Sequence, residues 1–219
     1  MHLNKFLIIF VNQQTFNLIK TNMEQEKIQA LKEGLTKAKK CVLIFAIAGI
    51  VANFFAILPA TGKLVQMCNV LIIAGFTAFM LRLESVSPLL EEADAAGFKK
   101  IHLGILLLLL GFILDPIPVA GSILAMIAFV ISFIFMMLGF NALKKSETFP
   151  AKNGLSLISV AMILGIVGSI LTIIPIIGIV GKLLLITLYI LFIVGWKKVE
   201  AVEDVPAKAE APAPEAPAE

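Results

Sequence analysis

Long runs of apolar residues alternate along this chain with short turns of one kind and polar loops of another. The runs cover Cys41–Leu58, Leu64–Leu83, Ile101–Leu114 (or to Ile117), Val119–Leu143, Leu155–Ile174 and Ile179–Trp196. Most approach the ~20 residues that carry a helix across ~30 Å of hydrocarbon. The pattern therefore predicts an all-α integral membrane protein with six transmembrane helices. The first and second runs meet at Pro59-Ala-Thr-Gly62, the third and fourth at Pro118-Val-Ala-Gly121, and the fifth and sixth at Pro175-Ile-Ile-Gly178. Proline ends an incoming helix, and a glycine three residues later permits the chain to reverse. The expected membrane domain, 41–198, is thus three repeated helical hairpins with Pro-x-x-Gly turns, at 41–83, 101–143 and 155–196.

Aligning the hairpins on their prolines brings other positions into register. Ten residues before the proline stand Gly49, Leu108 and Gly165, and seven before stand Ala52, Gly111 and Gly168. Small residues on a span let neighbouring helices approach closely. Each unit crosses twice, so the three copies share one orientation and are expected around an axis along the membrane normal, as a pseudo-threefold bundle.

Lys and Arg near the run ends set that orientation. Thirteen, from Lys27 through Arg82, Lys99, Lys100, Lys144, Lys145 and Lys152 to Lys198, gather at the end holding the loops, against only Lys63 and Lys182 at the end holding the turns. The excess puts both termini in the cytoplasm and all three turns outside, and the expected location is a bacterial cytoplasmic (inner) membrane. Composition agrees with lipid as solvent, at 59% apolar and 15% charged residues against ~45–50% and ~25% for soluble domains. The net charge of +3 is spread along run ends rather than a soluble basic face, which argues against nucleic acid as a partner. The lipid bilayer is the implied partner; a protein partner has room at the cytoplasmic loop Glu84–Lys100 or the C-terminal tail, and nothing in the sequence fixes an oligomer.

The flanks read differently. Residues 1–22 have an apolar core, Phe6–Val11, shorter than a secretory h-region of about 7–15 residues, and no small-residue cleavage site follows. They are either a mis-called start, with Met23 as initiator, or a short interfacial segment. Residues 23–40 place Ile28, Leu31 and Leu35 at helical spacing among charges, which predicts an amphipathic cytoplasmic helix on the membrane surface. Trp196 with Lys197 and Lys198 suggests an interfacial anchor. Residues 199–219, mostly Ala, Pro and Glu, have too little to bury and are expected to be a disordered tail.

Chemistry is sparse. The centres of all six runs lack ionisable residues, which argues against proton- or ion-coupled transport. Asn53 on the first run, with Gln66 and Asn69 on the second, are the candidate intramembrane polar positions, read as interhelical hydrogen bonds or as a small polar site opening outward. Asp115 is the one acid at the turn end, where it can pair with Lys63 or Lys182 as a gate. His102 sits beside Lys99 and Lys100 at the other end. No nucleophile-elbow, zinc-protease, Cys-x-x-Cys or phosphate-loop pattern occurs, and neither His2 nor His102 is placed to activate Ser169. Catalytic, cofactor-binding and metal-binding residues are accordingly expected to be none. Cys41 and Cys68 fall at opposite ends of adjacent runs and read as packing residues.

The stretch His102-Leu-Gly-Ile-Leu-Leu-Leu-Leu-Leu-Gly111-Phe-Ile-Leu-Asp-Pro116 resembles the Gly-Ile-Leu-rich first helix and Asn/Asp-Pro turn of HdeD-type bacterial six-span proteins. The resemblance covers one hairpin, departs from the family in the paired Pro116 and Pro118, and implies a link to acid tolerance. Two functions follow as expectations. One is a non-enzymatic membrane protein of structural, accessory or stress-related role; the other is a small uncoupled channel or transporter along the pseudo-threefold axis. They part on whether that axis is packed with Gly, Ala, Leu and Phe or holds a polar cavity touching Asn53, Gln66 and Asn69.

Overall fold

The computed structural model describes residues 2–58, 61–90, 92–117, 120–145, 152–174 and 176–200, and of these residues 2–25, 28, 93, 152, 153 and 200 by backbone alone. Pro59, Pro118 and Pro175, and with them the central part of each Pro-x-x-Gly turn, lie outside the described residues, as does the 201–219 tail. Six α-helices follow in order: α1 His2–Phe55, α2 Gly62–Val86, α3 Glu92–Leu114, α4 Ala120–Lys145, α5 Lys152–Leu171 and α6 Gly178–Glu200. A 3-10 turn, Ser87–Leu89, with Pro88 in its first positions, links α2 to α3. All six helices contain a stretch long and apolar enough to cross a bilayer, beginning at Gln29 in α1 and Asp94 in α3. Their outward faces carry Ile44, Ile47, Met67, Val70, Ile113, Ile163 and Val194, an apolar surface far larger than a soluble monomer exposes.

Two boundaries differ from the pattern's reading. The 23–40 stretch continues unbroken into the first span as part of one helix, α1. Its Leu35 and Ala38 are buried in the core. Likewise α3 begins nine residues before Ile101, with Glu92 and Asp94 in its first turn, where carboxylates favour a helix N-terminus.

Each helix packs on its sequence neighbours, and α6 closes on α1, so the six form a ring in which the α2–α3 contact is the slimmest. Glycines set the spacing. A Cβ on Gly97 would stand 3.2 Å from the Gly139 carbonyl oxygen, and one on Gly104 would stand 2.9 Å from the Ser132 carbonyl oxygen. On the α5–α6 side a Cβ on Gly154 would come within 2.5 Å of the Gly195 carbonyl oxygen, and one on Gly181 within 2.7 Å of the Gly168 carbonyl oxygen. In α1–α2 the Gly75 position meets the Phe45 backbone nitrogen at 2.9 Å. Gly97, Gly104 and Gly111 recur every seven residues, as do Ala125, Ser132 and Gly139 on the facing helix, so the close contact persists along the whole interface.

The ends of α1, α3 and α5 share one hydrogen-bond scheme. Ala56, Asp115 and Thr172 donate their backbone N–H to Ala52, Gly111 and Gly168, and Leu58, Ile117 and Ile174 donate to Phe55, Leu114 and Leu171. The tightening from four-residue to three-residue spacing satisfies carbonyls that a helix end otherwise leaves open. Thr61 adds its hydroxyl beside the carbonyls of Phe55 and Leu58.

Gly139→Val should cost about 1–3 kcal/mol of stability through overpacking against α3. Gly62→Ala, whose added Cβ meets nothing within 4 Å, should stay within about 0.5 kcal/mol of the parent. Reversible unfolding in mixed micelles measures both, and equal effects would show that the glycine contacts do not govern packing.

Candidate functional site

The two halves of the ring are filled differently. Towards the end holding the polar loops, large aromatic side chains from four helices meet on the axis. Phe45 stacks on Phe76 with ring centroids 3.8 Å apart and meets Phe192 edge-on at 5.4 Å. Phe79 meets Trp196 at 5.0 Å, and Phe140 meets Phe192 at 6.0 Å. Phe45, Phe79, Phe140 and Phe192 are fully buried. These ring contacts form an aromatic plug.

Trp196 belongs to it. Rather than lying at the membrane interface as an anchor, the indole is 2% exposed, and its Nε1 donates to the Leu35 carbonyl oxygen at 3.4 Å, tying α6 to α1. A buried indole N–H seeks such an acceptor. Its proximity to Lys197 and Lys198 in sequence gives no hint of this, because the inward direction depends on the α1–α6 contact.

Towards the turn end the residues are smaller, and a cavity of about 160 Å³ opens on the axis. All six helices line it. Ala52, Asn53 and Ala56 come from α1, and Val65, Asn69 and Ile72 from α2. Leu108 and Phe112 of α3, with Asp115 just past its end, face Phe129 and Phe133 of α4. Ser169 of α5 and Leu185 and Tyr189 of α6 complete the wall.

Of the polar positions expected from sequence, Asn53, Asn69 and Asp115 converge here, while Gln66 is exposed and does not line the cavity. Asn53 donates its Nδ2 to the Gly49 carbonyl oxygen at 2.8 Å, a bond within its own helix rather than between helices. Lys182 donates its amine to the Ala56 carbonyl oxygen at the end of α1, and Lys63 is exposed. Among the described residues no ion pair joins either lysine to Asp115, so the expected gate pair is not formed.

Ser169 and Tyr189 are site residues that the sequence reading passed over or dismissed. Both are more than nine-tenths buried, both line the cavity, and neither side-chain oxygen has a hydrogen-bond partner among the described residues. The Asn69 amide is likewise without one. The available signal was the register of Ser169 beside Gly168; for Tyr189 the signal lies in Gly49, whose missing Cβ gives the tyrosine ring its place.

A second hollow, about 290 Å³, lies at the opposite end between α2 and α3, against Glu84, Ser87, Lys99 and His102. It is larger, but its polar groups are exposed or half-buried and only α2, α3 and their linking turn bound it. Cys41 and Cys68 are free thiols, and no cluster suited to a metal ion occurs among the described residues. Polarity elsewhere in the ring is structural: Ser159 donates to Asn141 Oδ1 at 2.9 Å and so joins α5 to α4.

No known family model, curated protein or solved structure matches this chain.

Asp115 stands at the mouth, exposed on one side yet surrounded enough that burial raises its carboxyl above the ordinary value of 3.8. Ionising it therefore costs the folded state more than the unfolded one. Its contribution to stability is fully present below the ordinary value and is lost as pH rises through the raised one. The thermal midpoint of the parent protein should fall across that window relative to Asp115→Asn, in which this component is gone. Parallel pH-dependent slopes in the two proteins would show that the carboxyl is fully solvated.

Proposed function

We propose that this chain is a non-enzymatic multi-pass membrane protein that takes a small solute from outside the cell into the axial cavity. In this reading it is an uncoupled transporter of the cytoplasmic membrane, resting with its inner half closed. The observation that carries the reading is the cavity itself: all six helices contribute to it, and it gathers polar groups that the protein leaves without partners. Ligand pockets are concave, mostly apolar and supplied with a few convergent polar groups, and they favour the space between helices of a bundle. The excess of Lys and Arg at the opposite end supports an outward mouth. The shared hydrogen-bond scheme at the ends of α1, α3 and α5 supports three parallel hairpin repeats around the axis.

The aromatic plug favours the other reading, an accessory membrane protein with a blind pocket. Flux separates the two. Phe192 touches Phe45, Phe79, Phe140 and Trp196, so Phe192→Ala removes the centre of the plug. Glycerol permeation of proteoliposomes, followed by light scattering, should rise several-fold over the parent. An unchanged rate with folded protein would favour the accessory role.

Orientation is tested by cysteine labelling in intact cells, in a Cys68→Ser background. A membrane-impermeant thiol reagent added outside should modify Asn69→Cys but not Phe192→Cys. Modification of Asn69→Cys only in inverted vesicles would reverse the topology and remove the external solute from the reading.

A further inference from the structure

Polarity in the axial cavity is unevenly signed. Its mouth holds one carboxylate, Asp115, and its lining includes no basic residue. Of the two lysines at this end, Lys182 donates its amine to the Ala56 carbonyl oxygen, and Lys63 is exposed without an ion-pair partner among the described residues. Deeper in, the walls are aromatic. Phe112 and Phe129 meet edge-on at 5.1 Å, and Phe133 and Tyr189 lie further towards the plug. An aromatic ring presents its negative quadrupole at its face, so rings beneath a carboxylate favour a positively charged guest. An anion would meet the Asp115 carboxylate in a lining that supplies no basic side chain.

The remaining polar groups fit the same guest. The Ser169 hydroxyl and Tyr189 hydroxyl, both more than nine-tenths buried, and the Asn69 amide each offer an oxygen acceptor without a partner among the described residues. These groups donate as well as accept, so they suit an ammonium without selecting it, and the sign of the guest is set by Asp115. Size narrows the class further. At about 160 Å³ the cavity matches the ~150 Å³ engineered cavity that takes up benzene. The apolar lining by Ile72, Leu108 and Leu185 gives that volume a hydrocarbon surface.

We infer that the axial cavity is a binding site for a small organic monocation, with its ammonium at Asp115 and its apolar body against the wall that Phe112 and Phe129 form. The inference rests on the proposed solute site and names the ligand class that site selects. An inorganic cation would leave the aromatic wall unused, and a neutral solute would leave the carboxylate unpaired.

Benzylammonium and its neutral isostere benzyl alcohol are the probes. Binding is measured by calorimetry on the full chain in nanodiscs of zwitterionic lipid, with protein-free discs subtracted. The parent protein should bind benzylammonium about tenfold more tightly than benzyl alcohol. Asp115→Asn, an exchange at the exposed mouth, should erase that preference while leaving benzyl alcohol within about twofold of the parent. Phe129→Leu should weaken benzylammonium more than benzyl alcohol, which a purely Coulombic site would not do. Elution as a single species confirms that each variant is folded. Equal affinity for the two probes in the parent, or a preference that survives Asp115→Asn, overturns the cation site while the solute cavity stands. Binding of neither probe, together with an unlabelled Asn69→Cys, overturns both.

Discussion

Close backbone approach at glycine is the contact on which the rest of this bundle depends. Between helices in lipid there is no hydrophobic drive to associate, since the acyl chains are as apolar as the side chains they would replace. What remains is dispersion, which falls away within an ångström of optimal separation. Gly97 against Gly139, Gly154 against Gly195 and Gly168 against Gly181 bring α3 to α4 and α5 to α6 at backbone contact. The size requirement is strict enough to tolerate a cost. Ser132 keeps the α3–α4 interface narrow opposite Gly104, although its buried hydroxyl has no partner among the described residues. An unsatisfied buried hydroxyl costs about 1–3 kcal/mol. A larger side chain there would separate the helices over a full turn.

With the helices held close, the axis is filled or left open according to side-chain size. One half receives Phe45, Phe79, Phe140 and Phe192 and closes. The other half receives Ala52, Ala56 and Ser169 between its aromatics, and these are too small to meet across the ring. A plug and a cavity therefore follow from one scaffold. Tyr189 marks the boundary, since its ring occupies the space that Gly49 vacates and the residue lines the cavity.

The number of the helices and their place along the chain were legible from the apolar runs, because a backbone in hydrocarbon has few alternatives to a helix. Boundaries set by polar residues were not. The 23–40 stretch has the charge pattern of a surface helix, yet Leu35 and Ala38 pack into the core, a contact made by other helices and invisible along the chain. The polar site was half legible. Asn53 and Asn69 stand out by composition and do reach the cavity, but Gln66, three residues from Asn69, turns away from it. Rotation about a helix axis follows from tertiary packing, and so does the inward turn of Trp196. Asp115 drew attention as a lone acid, whereas its relation to Lys182 could not be read from spacing. The lysine is drawn instead to the carbonyl end of α1, where a cation is favoured by the helix dipole.

The equivalent positions at the mouth bear on what the cavity does. Ala56, Asp115 and Thr172 each precede a proline by three residues and make the same backbone hydrogen bond. Their side chains differ in kind. Ala56 and Asp115 line the cavity, whereas Thr172 turns its hydroxyl to the Ser169 carbonyl oxygen at 2.7 Å. A symmetric pore gains from repeating one residue around its axis, because an ion passing along the centre meets a ring of equal charges or dipoles. A site for a single molecule gains from the opposite, since one end of the guest differs from the other. Similar backbone ends bearing one methyl, one carboxylate and one self-satisfied hydroxyl suit the second case. The charge sits on one flank, the polar oxygens of Asn69 and Ser169 on others, and the aromatic wall of Phe112 and Phe129 beneath. Lopsidedness of this kind would suit the proposed guest, which has a charged end and an apolar one.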